Sequence, residues 1–131
     1  TQLARRVPNG TPLHIAQAKE ERFISLAVGH SIRTVQDRLF LLSGIQPEIL
    51  LESHNFEACR RLTLALGAVM LCPDAYVSRV PDLDLSEKLN AYPLLDGDMM
   101  RHFYLCCRRD MHFTRYMEDF LLILRQELAQ S

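Results

Sequence analysis

The sequence lacks the excess of basic residues that a free-standing nucleic-acid-binding protein usually carries. Its 131 residues contain 15 lysines and arginines against 16 aspartates and glutamates, for a formal net charge of −1. Basic clusters are no longer than pairs, such as Arg5-Arg6 and Arg60-Arg61. Because a nucleic-acid surface is normally met by a basic stripe, the composition argues against direct DNA binding by these residues.

Long apolar runs are also missing. The longest is far shorter than the ~20 residues that a membrane-spanning helix needs, and no charged-then-apolar leader opens the chain. We therefore expect no membrane partner and a cytoplasmic location. The chain begins with a polar segment, residues 1–12, which we expect to be part of a longer protein.

The sequence contains none of the short motifs that mark common catalytic sites. GxSxG, GxGxxG and GxxxxGK[ST] are all absent. Ser53 and His54 are adjacent, but a nucleophile and its base need a third, orienting group. Acid pairs such as Asp82 with Asp84 fall in polar segments and are typical of solvated charge. We therefore expect that the chain is not an enzyme and that it has no catalytic residue.

The cysteines favour neither a disulfide nor a metal site. Cys106 and Cys107 are neighbours in a predicted strand, so their side chains should point to opposite faces. His102 with either of them does not supply the three or four ligands of a zinc site. With Cys59 and Cys72 they are predicted to be free, buried thiols in a reducing cytoplasm. We expect no cofactor.

Hydrophobic residues make up 48% of the chain and charged residues 24%, which is typical of one soluble globular domain. The first predicted strand covers residues 23–28, where only Ser25 is polar. A break at residues 29–31 follows, with Ser31 as a plausible cap, and then a helix that Gly44 ends. Its apolar positions recur at helical spacing: Ile32, Val35, Leu39 and Leu42.

The next segment predicts a second strand, a capped helix and a third strand. The second strand covers residues 49–51 and is followed by a turn at residues 52–55. Asn55 can cap the helix with its side-chain oxygen, and Glu57 adds negative charge at the positive end of the helix dipole. Gly67 stops this helix before the uniformly apolar residues 68–72.

The remaining segments are assigned from the same signals. The chain is predicted to contain a loop at 1–12, a helical turn at 13–21, a short helix at 75–79, an irregular segment at 80–88, strands at 92–95 and 100–108, and a final amphipathic helix capped near Asp110 or Thr114 and ending at about Ala129. Strands that alternate with helices predict an α/β fold with a mostly parallel sheet and helices on both faces.

Such a unit gathers helix N-termini along one edge of the sheet, where small anionic ligands tend to bind. His30 and His54 each follow a strand and precede a helix, so both should lie near that edge. They are either ligand contacts or solvated loop histidines. Residues 39–42 make the first helix apolar beyond one face, which indicates a deep core position or a partner surface.

Six segments, in this order and spacing, carry a family resemblance. They are Leu-Ala-Arg-Arg at residues 3–6, Arg-Phe-Ile at 22–24, Asn-Phe-Glu-Ala at 55–58, the apolar run ending in proline at 69–73, the segment ending in Arg-Arg-Asp at 104–110, and Phe-Leu at 120–121. Together they resemble the effector-binding region of LysR-type bacterial transcriptional regulators. The family usually places two glycines one residue apart before the third strand, whereas this chain has Leu66 and Ala68 around Gly67.

The resemblance covers essentially the whole chain and implies one lobe of a type 2 periplasmic-binding-protein-like domain. It divides the chain into an inter-subdomain segment (residues 1–21), the second effector-binding subdomain (22–110) and a C-terminal amphipathic helix (111–131). The family's winged helix-turn-helix and first effector subdomain have no counterpart in these residues. DNA contact is therefore expected only through a domain absent from this chain.

The resemblance also implies a small, often anionic effector in a cleft between two lobes. Carried over by position, the effector-binding candidates are Gly29, His30, Ser31, Ser53, His54, Asn55, Phe56 and Pro73. Asp74 is a weaker candidate, because it would oppose an anion unless it only caps its helix.

In the family the regulatory domains dimerise side by side, and in this chain the matching surface is the first helix with the second strand. We therefore expect a homodimer or tetramer. The alternative function is a stand-alone solute-binding α/β module without a link to DNA.

Overall fold

The computed structural model describes residues 1–78, 89–96 and 104–130. The chain divides into two compact units, Thr1–Met99 and Met100–Ser131, of which the first holds the sheet. The elements in chain order are α1 (Gln2–Arg6), a 3-10 turn (Ile15–Ala18), β1 (Phe23–Leu26), α2 (Ser31–Ser43), β2 (Ile49–Ser53), α3 (Phe56–Leu66), α4 (Asp74–Ser78) and α5 (Arg115–Ala129).

The sheet is built around β1, which pairs in parallel with β2. On the other side of β1, Phe23 forms a parallel bridge with Val69. The amide of Ile24 donates to the carbonyl of Val69 at 2.8 Å, and the amide of Val69 donates to the carbonyl of Arg22 at 2.9 Å. The predicted α/β class with parallel pairing is therefore confirmed for the described part of the chain.

Every residue of β1 is buried, because helices cover both of its faces. Successive strand side chains point to opposite faces. Phe23 packs with Leu39 of α2, and its ring meets that of Phe40 edge-on with centroids 5.0 Å apart. Ile24 and Cys59 of α3 belong to the second core cluster. Ile32 of α2 also belongs to this second cluster, so α2 packs on both core clusters around β1.

The N-terminus is a correction to the sequence interpretation, because residues 2–6 form α1 and not a loop. The Thr1 side chain accepts from the Ala4 amide, and Leu3 is buried in the first core cluster. The Leu3 amide also donates to the carboxylate of Glu21, which lies 18 residues away. Tertiary contacts therefore hold a helix too short to be stable alone. The helical turn predicted within residues 13–21 is confirmed.

Both long helices of the first unit were predicted, but the strands before them end elsewhere. β1 stops at Leu26 instead of residue 28, whereas β2 continues to Ser53, so the predicted turn at residues 52–55 was placed too early. The cause is pairing: the amide of Ala27 donates to the carbonyl of Ser53 at 3.0 Å, which holds the end of β2 against β1. Gly44 and Gly67 end their helices in the left-handed conformation, as expected.

Three predicted strands are not strands in the described residues. Residues 68–72 contribute only the bridge at Val69, and residues 92–95 contribute only a parallel bridge between Leu94 and Leu13. Pro93 has no amide to donate to a ladder, which limits pairing there. Residues 104–108 are irregular, and residues 100–103 of that prediction lie outside the described residues.

The short helix after Pro73 is observed as α4, and the prediction for residues 80–88 lies outside the described residues. In the second unit, α5 begins after its cap residue Thr114 and ends at Ala129, as expected. Of the described residues of α5, none is buried. Among the described helices, none is long and apolar enough to cross a lipid bilayer.

The cysteine prediction is wrong in part. All four described cysteines are free, but only Cys59 is buried, Cys72 is half-buried, and Cys106 and Cys107 are exposed. The last two lie in an irregular segment instead of the buried strand that their apolar neighbours indicated.

Candidate functional site

The carboxyl ends of β1 and β2 meet at one edge of the sheet because the two strands run parallel. The last pair in the register is Leu26 with Ser53. β1 leads into α2 and β2 leads into α3 after only a few residues each, so both helix N-termini lie at this edge of the sheet. We call residues 27–31 and 53–56 the carboxyl edge.

His30 caps α2 at this edge, where the sequence suggested Ser31. Gly29 turns the chain with a positive φ of 95°, and the Nδ1 atom of His30 accepts from the amide of Ile32 at 3.3 Å. Ser31 is the first helical residue and is exposed.

Asn55 caps α3, as expected from the sequence. Its Oδ1 accepts from the amide of Ala58 at 3.0 Å, and its own amide donates to the Oγ of Ser53 at 3.1 Å. These two bonds fix the turn between β2 and α3. His54 lies within the turn with an exposed side chain.

A third helix start reaches the same neighbourhood. The rings of Phe56 and Tyr76 are in contact, with centroids 4.4 Å apart and a tilt of 37°. Tyr76 belongs to α4, so this contact brings Pro73, which precedes α4, towards the start of α3. The Oδ1 of Asp74 accepts from the amide of Ala75 at 2.7 Å.

The structure therefore brings seven of the eight predicted effector residues to one edge. Gly29, His30 and Ser31 lie at the start of α2, Ser53 to Phe56 lie at the start of α3, and Pro73 is linked to them through α4. Their role in binding stays a prediction.

Sequence reasoning missed Arg33, which lies in the first turn of α2. Its Nε donates to Asp37 at 2.8 Å, and its Nη1 donates to the carbonyl of Leu26 at 3.2 Å and to the carboxylate of Glu52. The bond to Glu52, followed by that to Asp37, raises the pKa of the Arg33 guanidinium. The i, i+4 spacing of Arg33 and Asp37 was the available signal, but the contacts with the strands leave no local trace.

A second ion cluster lies at the start of α3. The Glu57 carboxylate accepts two bonds from Arg60 at 2.9 Å and one from Arg61 at 2.9 Å. The bonds from Arg60 and then from Arg61 lower the pKa of Glu57 to about 2. The carboxylate therefore stays charged at the positive end of the helix dipole.

Cys59 lies beneath the edge and is fully buried. Its thiol is within 3.5 Å of the carbonyl of Ser25 and 3.9 Å of the carbonyl of Ser53. Burial raises the pKa of the Cys59 thiol, which disfavours the reactive thiolate. Cys59 thus packs the two strands against α3.

The carboxyl edge gathers groups that can hold an anion or a polar group. They are helix N-termini, two hydroxyls, two imidazoles and an amide. Within residues 1–78, 89–96 and 104–130, no three His, Cys, Asp or Glu side chains converge as a metal site would require.

Two surface depressions lie away from these residues. One, of about 250 Å³, lies between α2 and β2 and is lined by Arg33, Asp37, Phe40, Leu41, Ile45, Gln46, Pro47 and Ile49. The other, of about 460 Å³, includes Arg5, Glu21 and Arg22 near α1.

Fold and edge together define an α/β ligand-binding module whose helix starts converge at the ends of parallel strands. Among known protein families, the LysR substrate binding domain matches residues 2–129 of this chain. The chain belongs to the LysR substrate-binding-domain family, whose members are regulatory binding modules. Searches of curated proteins and of solved structures gave no match.

Proposed function

We propose that this chain is the effector-sensing part of a bacterial LysR-type transcription regulator, and that its carboxyl edge forms half of the effector site. The observation that carries the proposal is the convergence of the α2 and α3 N-termini at the ends of β1 and β2. Family membership supports an effector-sensing role independently.

A small organic anion suits this edge best. Each helix N-terminus carries a partial positive charge of about +0.5 from its aligned peptide dipoles. A carboxylate at the edge would meet two such helix ends and the exposed imidazole of His54. The Phe56–Tyr76 pair offers an apolar surface beside them. The second lobe of the regulator would close over the anion and supply the other half of the cleft.

Binding would act by shifting an equilibrium. An effector held between two lobes stabilises the arrangement in which both lobes contact it, and it can shift populations only by that difference in affinity. A separate DNA-binding domain would report the shift to the promoter, which makes the coupling allosteric.

The test is a thermal-shift screen of the full-length protein against small organic acids and amino acids, followed by titration of the best stabiliser. His54→Ala and Asn55→Ala should each raise the Kd of this ligand by about fivefold or more, since a hydrogen bond to a charged group contributes about 1 kcal/mol or more. His112→Ala, which removes an exposed histidine outside the edge, is the matched control. Unchanged titrations for both edge variants would remove this site, provided that promoter binding without effector is intact.

We also propose that two copies pair through α2 and β2. Leu41 and Leu42 of α2 are 81% and 70% exposed, which is unusual for leucines on a helix that also faces the core. A depression lies between α2 and β2, beside Leu41. Leu41→Asp should lower the mass measured by light scattering from dimer or tetramer towards monomer, whereas Leu66→Asp at the end of α3 should not. An unchanged mass for Leu41→Asp would place the interface elsewhere.

A further inference from the structure

Arg33 joins three elements directly beneath the carboxyl edge. Through Asp37 it is tied to the next turn of α2, through the carbonyl of Leu26 to the end of β1, and through Glu52 to the end of β2. Its side chain is only 16% exposed although it is charged. A charged side chain in this setting is expected where its contacts are specific.

The contacts of Arg33 depend on the shape of the guanidinium. A planar fork can present Nε to one partner and Nη1 to others at fixed angles. The ammonium of a lysine offers one nitrogen in place of the two, Nε and Nη1, that serve Asp37, Glu52 and the Leu26 carbonyl here. The arrangement therefore uses arginine for its geometry as well as for its charge.

The bonds that define the edge lie next to these contacts. Ala27, which follows Leu26, donates to the carbonyl of Ser53, and Asn55 donates to the Oγ of Ser53. Without Arg33, the strand ends would lose the side chain that links them to α2. Asp37 and Glu52 would also be left as two negative charges close to a surface proposed to bind anions.

We propose that Arg33 is a positioning residue for the effector site: it fixes the ends of β1 and β2 against the start of α2 and neutralises two nearby carboxylates without touching the effector. This inference rests on the proposed function for the identity of the ligand. The positioning itself is measurable without any ligand.

Amide hydrogen exchange in Arg33→Met tests the positioning. Methionine keeps much of the apolar stem and removes all three contacts. Exchange of the Ala27 and Asn55 amides should rise by about tenfold or more, because local opening of the edge becomes easier. Exchange of the Ile24 amide, bonded to Val69 on the other side of β1, should change by less than about twofold. Arg38→Met, which removes the same charge from an exposed position on α2, should leave all three amides unchanged.

Two gentler variants keep the test decisive if Arg33→Met folds poorly. Glu52→Gln should raise exchange at Ala27 and Asn55 to a smaller degree, and Arg33→Lys should fall between wild type and Arg33→Met. Equal acceleration at Ile24 would show a general structural role and overturn the proposal. Exchange rates of Ala27 and Asn55 in Arg33→Met or in Arg33→Lys that equal those of the wild type would overturn it as well.

Sulfate serves as the anion probe in a separate arm. In NMR titrations of the wild-type chain, sulfate should shift the amide signals of the carboxyl edge, and Arg33→Met should weaken this binding by about fivefold or more because two carboxylates lose their counter-charge. If sulfate shifts no amide signal of the carboxyl edge in the wild-type chain, the result counts against the anion site of the proposed function. The hydrogen-exchange result would still decide the role of Arg33. Wild-type sulfate affinity in Arg33→Met would overturn the electrostatic half of this inference.

Discussion

α2 and α3 begin at the same edge of the sheet, but different kinds of contact hold their starts. In α3 the charged groups bond within the helix, because Glu57 accepts from Arg60 and Arg61 one turn later. In α2 the corresponding arginine, Arg33, reaches out to both strands. The Glu57 cluster thus stabilises the start of α3 from within the helix, whereas Arg33 ties the start of α2 to both strands.

This difference has a functional consequence for the proposed sensor. The Asn55 cap and the Glu57 cluster hold the first turn of α3 itself, whereas the turn before it also depends on Ser53 at the end of β2. α2 also lines the depression beside β2, in which Arg33 takes part. A change at the proposed subunit interface would therefore act on the proposed effector site through α2.

The largest effect that separates the two helices is expected in their cores. Leu39 of α2 is 1% exposed and packs on Phe23, so Leu39→Ala should lower the free energy of unfolding by about 3 kcal/mol. Cys59→Ala in α3 removes only a sulfur atom and should cost about 1 kcal/mol. Urea unfolding measures both, with exposed Leu42→Ala as the control near zero. Equal costs for Leu39→Ala and Cys59→Ala would contradict the expectation that the larger cavity in the α2 core costs more.

A smaller effect is expected at the two caps. Asn55→Ala should cost about 1 kcal/mol, which is usual for loss of an asparagine cap. His30→Ala should cost less, about 0.5 kcal/mol, because histidine is not among the preferred cap residues and its bond is 3.3 Å long against 3.0 Å for Asn55. Asn55→Asp retains an acceptor oxygen and should stay close to wild type. A costlier His30→Ala would reverse the ranking of local and tertiary control.

The same contrast explains how much of the site could be predicted from the sequence. Asn55 is a strong local cap signal, and Gly67 is a strong local stop, so α3 was predicted at both ends. The sequence predicts Ser31 and not His30 as the cap of α2, because serine is a preferred cap residue and histidine is not. The edge itself followed from the alternation of strands and helices, which places both helix starts together without any knowledge of contacts.

The features that could not be predicted from the sequence depend on contacts between residues far apart in the chain. α1 has a local signal in its Thr1 cap, but Glu21 and the core hold it in place, and residues 1–12 alone do not indicate these contacts. The apolar run after Gly67 reads as a full strand, yet it meets β1 only at Val69. Hydrophobicity predicts burial in each of these segments, whereas pairing is decided by which backbone groups reach each other. Arg33 was missed for the same reason.

The smallest expected effect tests the local charge cluster of α3 through pH. Bonds from Arg60 and Arg61 lower the pKa of Glu57 to about 2 from 4.5. Because the folded-state pKa is depressed, the stabilisation is fully present above pH 4.5 and is lost as the pH falls through about 2.

The Glu57 side chain is 47% exposed, so solvent screening should keep this contribution below about 1 kcal/mol. Glu57→Gln should flatten the profile of unfolding free energy between pH 4.5 and about 2, with little change in its shape at higher pH. Urea unfolding across this range measures the effect, and Glu118→Gln on α5 is the control for loss of one acid. If Glu57→Gln loses stability on acidification as steeply as wild type, the charges within α3 do not hold its start. The start of α3 would then depend on the strands, as that of α2 does.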